Sequence, residues 1–584
     1  MHIRKLLDWR KLLIYSHRWL GIGISLMFLV WTLSGVVLMY YGHPQITMGE
    51  RLLRLQPLDF STATLTPAQA AVKAGIKPYR VRLSMYNGRP VYHLTRRSIG
   101  NWSAVYADTG EVLPPMGREQ SLQWMKQFVP ESASTMTYDA WLPGPDEFTR
   151  IPTLAGFAPL HRIAMNDAAG TEYYLSEKSN DIVQKTDRRG RILAVSGYIL
   201  HNLFFFRQRT WWTPFLDFIA WTAMLMALTG IVVGIWRVAL RPRFRHKGVL
   251  SYTPYSSWMK WHHYAGLLFG LFSISWILSG IIPISTFPIP GWTDVSKRVE
   301  SNGEGFLMGN PVISPRSTMT RTMARAITGG PLNLQPLTVE TLRNALAQIQ
   351  QRFAPKEVEL LQFRGEPYLV AYQPPTTKAE AARWNTNNSI NAVNLPQDNP
   401  HLFVSLRHPE RGGITSFSRE VMEQASREAL PNVPVLDREW LTAPDNYYHQ
   451  TTPSFELGRH KPAYVFPVLR VRYNDENQTW LYFTPSLAQM VKFDKRDRAN
   501  RWVYYGLHVM DWPGLFQRRP LWDLVTIALL AGLAAMGITT LLPAFRRLRR
   551  HAVHGWRWAF PPNKVRTAPS PEWAISEREH IGGD

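Results

Sequence analysis

Four long apolar stretches divide the chain into alternating apolar and mixed regions. None contains a charged residue, and each approaches the roughly 20 apolar residues that a helix needs to cross a bilayer. Four buried core helices are the alternative, and the pattern favours four transmembrane helices. The stretches are residues 20–41, 218–236, 265–286 and 524–545.

The regions outside these stretches differ in charge. Residues 1–18 contain five Lys or Arg against one acid, 237–260 contain six and no acid, and 546–550 contain four Arg. Basic residues accumulate in cytoplasmic loops, so both termini are expected in the cytoplasm and two long segments outside. The first stretch is expected to be a retained anchor, because no small-x-small cleavage site follows it.

These observations predict a multi-pass membrane α-helical fold with two outer α+β domains. The predicted units are 1–41 for the cytoplasmic N-terminus and first helix, 42–214 for the first outer domain, 215–237 for the second helix, 238–260 for a basic cytoplasmic loop, 261–286 for the third helix, 287–520 for the second outer domain with insertions, 521–545 for the fourth helix and 546–584 for the cytoplasmic tail.

The membrane stretches repeat between the two halves of the chain. The motif His-x-x-x-Gly, followed by Trp-x-x-Ser-Gly, occupies residues 17–35 and recurs with identical spacing at 262–280. A second repeat is an interval of 29 residues between a histidine and a glycine, namely His201 to Gly230 and His508 to Gly537. We therefore interpret the chain as two duplicated halves.

The outer segments also repeat. A helix-like stretch begins at Thr66 in the first and at Thr338 in the second, and each is followed by alternating strand patterns. The second segment carries polar insertions near 301–330 and 376–400, which are predicted to be loops.

Four of the 17 histidines occupy equivalent places in the repeat. His17 and His262 lie at the cytoplasmic ends of the first and third helices, whereas His201 and His508 precede the second and fourth on the outer side. A single histidine there could simply anchor a helix among headgroups. Because the duplication retains each histidine, we expect two facing pairs, with His263 as a competitor for His262.

The composition limits the chemistry of these pairs. The chain has no cysteine, which excludes disulfides, iron–sulfur clusters and thioether-attached haem. Two facing imidazoles suit the axial positions of b-type haem, so we expect two haems, one near each membrane surface. Two histidines are fewer than the three or four ligands that zinc usually takes. Glycines could provide room for a porphyrin or for helix packing, namely Gly21, Gly35, Gly230, Gly234, Gly266, Gly270, Gly280 and Gly537.

Charge and motifs narrow the expected partners. The formal net charge is +23, but much of it lies in the cytoplasmic segments, so the bilayer rather than nucleic acid is the expected partner. No Rossmann fingerprint, phosphate-binding loop, zinc-protease motif or nucleophile elbow is present. The electron donor of a haem protein built this way must therefore be external.

The motif at 17–35, the histidines before the second and fourth helices, and the module at 66–112 resemble those of the PepSY-associated transmembrane proteins. The resemblance covers about residues 12–547. It implies a protein of the inner membrane of Gram-negative bacteria with PepSY-like periplasmic domains. Several relatives are iron-regulated, and some are haem-containing ferric-siderophore reductases.

The resemblance assigns axial haem ligands to His17 with His262, and to His201 with His508. It implies a periplasmic ferric chelate as substrate and an electron donor in the cytoplasm or membrane. An anionic chelate could be attracted by outer arginines, namely Arg96, Arg97, Arg207 and Arg209. Two alternatives remain at this stage: a membrane-anchored PepSY binding or regulatory protein without redox activity, and a small transporter of iron complexes.

Overall fold

The computed structural model describes residues 9–44, 46–78, 80–95, 102–150, 154–206, 211–284, 320–383, 400–448, 465–516, 518 and 520–559. Its α-helices are α1 Trp9–Leu38, α2 Met48–Arg54, α3 Pro67–Lys73, α4 Arg118–Phe128, α5 Arg188–Ala194, α6 Trp212–Arg237, α7 Ser257–Ile284, α8 Arg321–Thr328, α9 Val339–Gln350, α10 Lys378–Arg383, α11 Arg419–Ala429, α12 Lys495–Asn500 and α13 Leu521–Ala559.

Four helices, α1, α6, α7 and α13, are long and apolar enough to cross a membrane. Each exposes a large apolar side chain, as expected of a surface that contacts lipid: Leu26 is 64% exposed, Ile235 63%, Leu268 67% and Leu524 63%. Together with the β-sheets outside the helices, they give the architecture of a membrane protein with soluble α+β parts. α13 continues beyond the predicted boundary at residue 545.

The four long helices pack as a ring. Helix α1 contacts α6 and α13, and α7 contacts the same two helices. α1 and α7 therefore occupy opposite corners of the bundle. Residues on their inward faces meet across its centre.

The strands form antiparallel sheets outside the bundle. They are β1 Arg80–Tyr86, β2 Arg89–Thr95, β3 Trp102–Tyr106, β4 Thr137–Leu142, β5 Leu160–Ala164, β6 Glu172–Ser176, β7 Asp181–Thr186, β8 Phe244–His246, β9 Val249–Ser251, β10 Glu357–Phe363, β11 Glu366–Tyr372, β12 His401–Ser405, β13 Gly413–Ile414, β14 Val435–Leu441, β15 Val468–Tyr473, β16 Trp480–Thr484 and β17 Gln489–Phe493.

One seven-stranded sheet contains strands from both outer segments. Its order is β13-β12-β11-β10-β1-β2-β3, so β1 of the first segment pairs with β10 of the second. Two four-stranded sheets, β4–β7 and β14–β17, each belong to one segment. The sequence predicts two separate outer domains, whereas this continuous sheet joins the two segments.

Buried ion pairs cross the junction between β1 and β10. Arg82 donates to Glu357 at 2.8 Å and to Asp181 at 2.6 Å, and Arg51 donates to the same glutamate at 2.6 Å. Although burial raises the pKa of Glu357, Arg51 and Arg82 lower it to about 2. Because removing one member of a buried ion pair costs about 3–5 kcal/mol, this cluster fixes the two segments against each other.

Equivalent helices begin at the predicted positions in both segments. Thr66 caps α3 and Thr338 caps α9, each through a capping box that satisfies backbone N–H groups of the first turn. The prediction of loops at 301–330 and 376–400 was wrong in part, because α8 and α10 lie within those ranges. Residues 301–319 and 384–399 of these ranges lie outside the described residues.

Candidate functional site

The structure brings His17 and His262 together between α1 and α7, and we call them the inner pair. Their ring centroids are 6.2 Å apart and their planes differ by 30°. Each ring donates from Nδ1 to a backbone oxygen on a neighbouring helix, His17 to Met226 at 3.0 Å and His262 to Met536 at 3.2 Å. Thr540 adds a hydroxyl contact to Nδ1 of His262 at 3.0 Å.

His201 and His508 also meet, and we call them the outer pair. Their ring centroids are 6.3 Å apart and their planes differ by 78°. Neither residue belongs to a long helix, because each follows or ends a π-helical segment, Val195–Ile199 or Arg501–His508. The extra residue in each π turn rotates the chain, and such turns are frequent at functional sites.

The serines of the repeated motif hold the outer pair. The Ser34 hydroxyl lies 3.0 Å from Nδ1 of His201, and it donates its own hydrogen to the backbone oxygen of Val30. Ser279 lies 3.2 Å from Nδ1 of His508 and likewise donates within α7. The Ser34 hydroxyl therefore accepts from Nδ1–H of His201, and Nδ1–H of His508 is shared between the Ser279 hydroxyl and the backbone oxygen of Trp276, which lies at 3.1 Å.

These contacts select one tautomer in all four histidines. When Nδ1 carries the hydrogen, Nε2 carries the lone pair that a metal ion requires. Burial and the neighbouring His508 lower the pKa of His201 to about 3, and burial lowers the pKa of His508 to about 4. The outer imidazoles are therefore neutral at physiological pH, which is the form that binds metals.

The ring separations match a metal ion held between two imidazoles. With metal–nitrogen bonds of about 2.0 Å and each nitrogen roughly 1.1 Å from its ring centroid, two rings on opposite sides of one ion lie roughly 6.2 Å apart. Both observed separations agree with this value. Each pair is therefore compatible with one metal ion held between its two imidazoles, as in a bis-histidine haem site.

His263 does not take part in the inner pair. Its Nδ1 lies 2.6 Å from the Thr253 hydroxyl, and its Nε2 donates to the backbone oxygen of Gly234 at 2.9 Å. Both ring nitrogens are thus engaged in joining the loop after β9 to α6 and α7. Sequence alone could not separate His262 from His263, because the choice depends on the rotation of α7 about its axis.

Two of the glycines make room for histidine rings. A Cβ atom on Gly230 would lie 2.6 Å from Cε1 of His17, and one on Gly280 would lie 3.0 Å from Cε1 of His508. Gly234 and Gly270 instead allow close packing of α6 and α7, since their Cβ atoms would meet Leu267 and Ile231. Glycine therefore serves both of the purposes that the sequence left open.

A cavity connects the outer pair to the middle of the bundle. It is lined mainly by apolar side chains of all four long helices, together with His201 and His508. Such a lining suits a large apolar ligand, and a few polar groups can fix its orientation. A porphyrin between the two rings would have these surroundings.

The structure changes one detail of the repeat. The equal His–Gly interval aligns Gly230 with Gly537, yet Gly537 lies near Leu29 rather than near an imidazole. Opposite His262 the position that corresponds to Gly230 is Thr540. The sequence signal for this shift is Met-x-x-Thr, which occurs at 226–229 and at 536–539.

Among the described residues, no three His, Asp or Glu side chains converge as a zinc site would require. The outer arginines that were expected to attract an anionic chelate, Arg96, Arg97, Arg207 and Arg209, lie outside the described residues.

Comparison of the chain with protein-family models and with curated proteins finds no match.

Proposed function

We propose that the protein is a membrane reductase that holds two b-type haems and transfers electrons outward to a ferric chelate. The observation that carries the proposal is the separation of the rings, 6.2 Å in the inner pair and 6.3 Å in the outer pair. Both pairs are formed by the four histidines that the internal repeat singles out, one pair at each end of the bundle.

The depth of the pairs supports a path across the membrane. On α1, the inner pair uses residue 17 and the outer pair contacts Ser34, which is 17 residues later. At 1.5 Å per residue these positions are roughly 25 Å apart, close to the thickness of the hydrocarbon core. When bound, each haem supplies a centre that accepts and releases one electron.

The residues of the chain set the conditions for this chemistry. The Nδ1 contacts fix each imidazole in the ligand tautomer and hold its plane. The cavity is lined mainly by apolar side chains, and a haem held by two histidines would supply electron transfer rather than oxygen binding. Chelators bind Fe(III) more tightly than Fe(II), so one electron delivered to the outer surface releases the metal without breaking the chelator.

The remaining features of the proposal come from the sequence. The charge pattern supports cytoplasmic termini and periplasmic outer segments, and the repeated motifs support an origin by duplication. The resemblance to PepSY-associated transmembrane proteins supports the bacterial inner membrane, PepSY-like outer domains and a ferric-siderophore or other ferric chelate as substrate. The electrons come from an external donor in the cytoplasm or membrane.

A reduced-minus-oxidised optical spectrum of the purified protein tests the proposal. We expect two b-type haems per chain. His17→Ala should lose the inner haem and His508→Ala the outer one, so each variant should retain one. His263→Ala and the surface variant His408→Ala serve as controls, and both should retain two.

The outcomes separate the candidate functions. Absence of any b-haem signal after expression with sufficient haem and iron would reject the reductase and favour an anchored PepSY binding or regulatory protein. Loss of both haems in one single-histidine variant that remains folded would reject the pairing. The transporter alternative gains no support from α1, α6, α7 and α13, because each is one continuous helix where broken helices are typical of that class.

A further inference from the structure

The two sides of the cavity at the outer pair differ at two repeat-equivalent positions. Phe28 of α1 and Ser273 of α7 occupy equivalent positions of the repeat, and both line the cavity. Leu216 of α6 and Thr526 of α13 correspond in the same way when Met-x-x-Thr aligns the helices. The polar member of each pair belongs to the second half of the chain.

Three polar atoms on that side have no hydrogen-bond partner among the described residues. They are the hydroxyls of Ser273 and Thr526 and the indole nitrogen of Trp276. Ser273 is 1% exposed and Thr526 4%. Leaving buried polar atoms unpaired is unfavourable, and native proteins usually satisfy them, often with ordered water.

The equivalent tryptophan of the first half is paired. Trp31 donates from its indole nitrogen to the backbone oxygen of His201 at 2.9 Å. Trp276 occupies the same place in the motif, but its indole nitrogen makes no such bond. The unpaired atoms are therefore specific to the α7 and α13 side and do not result from the repeated motif itself.

The two hydroxyls lie at the same depth. α7 and α13 are antiparallel. His262 near the start of α7 contacts Met536 well inside α13, whereas Ser279 near the end of α7 contacts His508, which precedes α13. Ser273 lies eleven residues after His262 on α7, and Thr526 lies ten residues before Met536 on α13. At 1.5 Å per residue, both are roughly 16 Å from the inner pair. Both therefore lie on the floor of the outer cavity, between the two histidine pairs.

We propose that Ser273, Trp276 and Thr526 bind an ordered water molecule between the inner and outer pairs. Three protein partners are typical for a buried water. A charged carboxylate is disfavoured at this depth because charge is costly near the middle of a bilayer. The role of this water in electron transfer rests on the proposed function, whereas its binding does not.

The proposal includes an orientation of the water. Trp276 can only donate, and in the proposed arrangement its N–H and one hydroxyl donate to the water oxygen, while the other hydroxyl accepts one water hydrogen. The second water hydrogen then points into the cavity towards the outer pair. A positive dipole end there stabilises the reduced outer haem, which raises its midpoint potential and favours electron flow from the inner to the outer site.

The first test measures thermal stability and needs no haem signal. Thr526→Val and Ser273→Ala in the full-length protein should each lower Tm, because the bound water loses a partner. Thr32→Val is the matched control. Thr32 lines the same cavity, but its hydroxyl donates to the backbone oxygen of Phe28 at 2.8 Å, so its Tm should not change. An unchanged or raised Tm in Thr526→Val and Ser273→Ala would overturn the water site, since a hydroxyl with no partner is replaced by an apolar group at no loss.

The second test measures the midpoint potentials of both haems by spectroelectrochemistry. Thr526→Val should shift the outer potential downward and leave the inner potential unchanged, and Thr32→Val should shift neither. Exchange into ¹⁸O-labelled water should shift one band in the infrared redox-difference spectrum of the unchanged protein. This isotope shift should be absent in Thr526→Val. The proposal would be overturned if the outer haem had the same midpoint potential in all variants. It would also be overturned if the infrared band came from a carboxylate. Absence of haem would instead contradict the proposed function and leave the Tm test to decide on the water.

Discussion

The inner and outer histidine pairs have nearly the same ring separation but different supports. The inner pair donates to backbone oxygens of Met226 and Met536 on the spanning helices. The outer pair belongs to segments before α6 and α13 and is held by the motif serines, with the backbone oxygen of Trp276 as a second acceptor for His508. One repeated sequence thus builds an inner site whose geometry depends on the bundle, and an outer site whose geometry also depends on how the outer sheets position the π-helical turns.

The largest expected effect is from filling the space at Gly230. In Gly230→Ala the new Cβ lies 2.6 Å from Cε1 of His17 and displaces the ring. We expect this variant to lose the inner haem and to retain the outer one, as measured by haem content per chain. Gly537→Ala is the control, because its Cβ would lie 3.6 Å from Leu29 and the haem content should not change. Two haems in Gly230→Ala would contradict the role assigned to this glycine.

The ring angles predict different magnetic signatures for the two sites. The angle is 30° in the inner pair and 78° in the outer pair. In low-spin ferric haem, near-parallel imidazoles give a rhombic electron paramagnetic resonance signal, whereas near-perpendicular imidazoles give one dominated by a single large g value. We expect both signals, with only the second lost in His508→Ala. Identical signals from the two sites would show that the Nδ1 contacts do not fix the ring planes.

A buried histidine outside both pairs, His93, provides a reference for pH effects. Burial and the nearby Arg82 lower its pKa to about 4. The unfolded chain binds more protons between about pH 6.5 and pH 4, so stability falls as the pH decreases through this window. We expect His93 to account for about 2 kcal/mol between pH 7 and pH 5. His93→Gln should remove this part of the slope in a denaturation series, and the slope that remains includes the outer pair.

A smaller effect is expected at Thr540, whose hydroxyl contacts Nδ1 of His262. Thr540→Val removes this contact but leaves the bond to Met536, so we expect haem affinity at the inner site to fall by about tenfold. Thr229→Val is the matched control, because Thr229 donates only to backbone oxygens of its own helix. Equal affinities for the two variants would show that the Thr540 hydroxyl does not orient His262.

The spans and the positions of the four histidines follow from local sequence. Apolar length predicts a membrane helix without knowledge of its neighbours, and the internal repeat identifies His17, His201, His262 and His508 among 17 histidines. The structure brings them into the expected pairs, while haem binding itself stays a prediction.

Other features depend on contacts that no local pattern contains. The pairing of β1 with β10 joins residues that are far apart in sequence, so alternation predicts the strands but not their partner. The oxygens of Met226 and Met536 are backbone atoms, and their selection requires the register of neighbouring helices. The equal His–Gly intervals align Gly230 with Gly537, whereas the structure places Thr540 at the position that corresponds to Gly230.

The ion pairs at the β1–β10 junction have a consequence for assembly. Arg80 and Arg82 on β1 face Glu357 and Glu359 on β10. Two copies of the first segment that paired through β1 would bring arginine against arginine, and two copies of the second would bring glutamate against glutamate. The charges therefore disfavour pairing between two like segments and favour pairing of β1 with β10. This pairing can form within one chain or by reciprocal exchange between two chains.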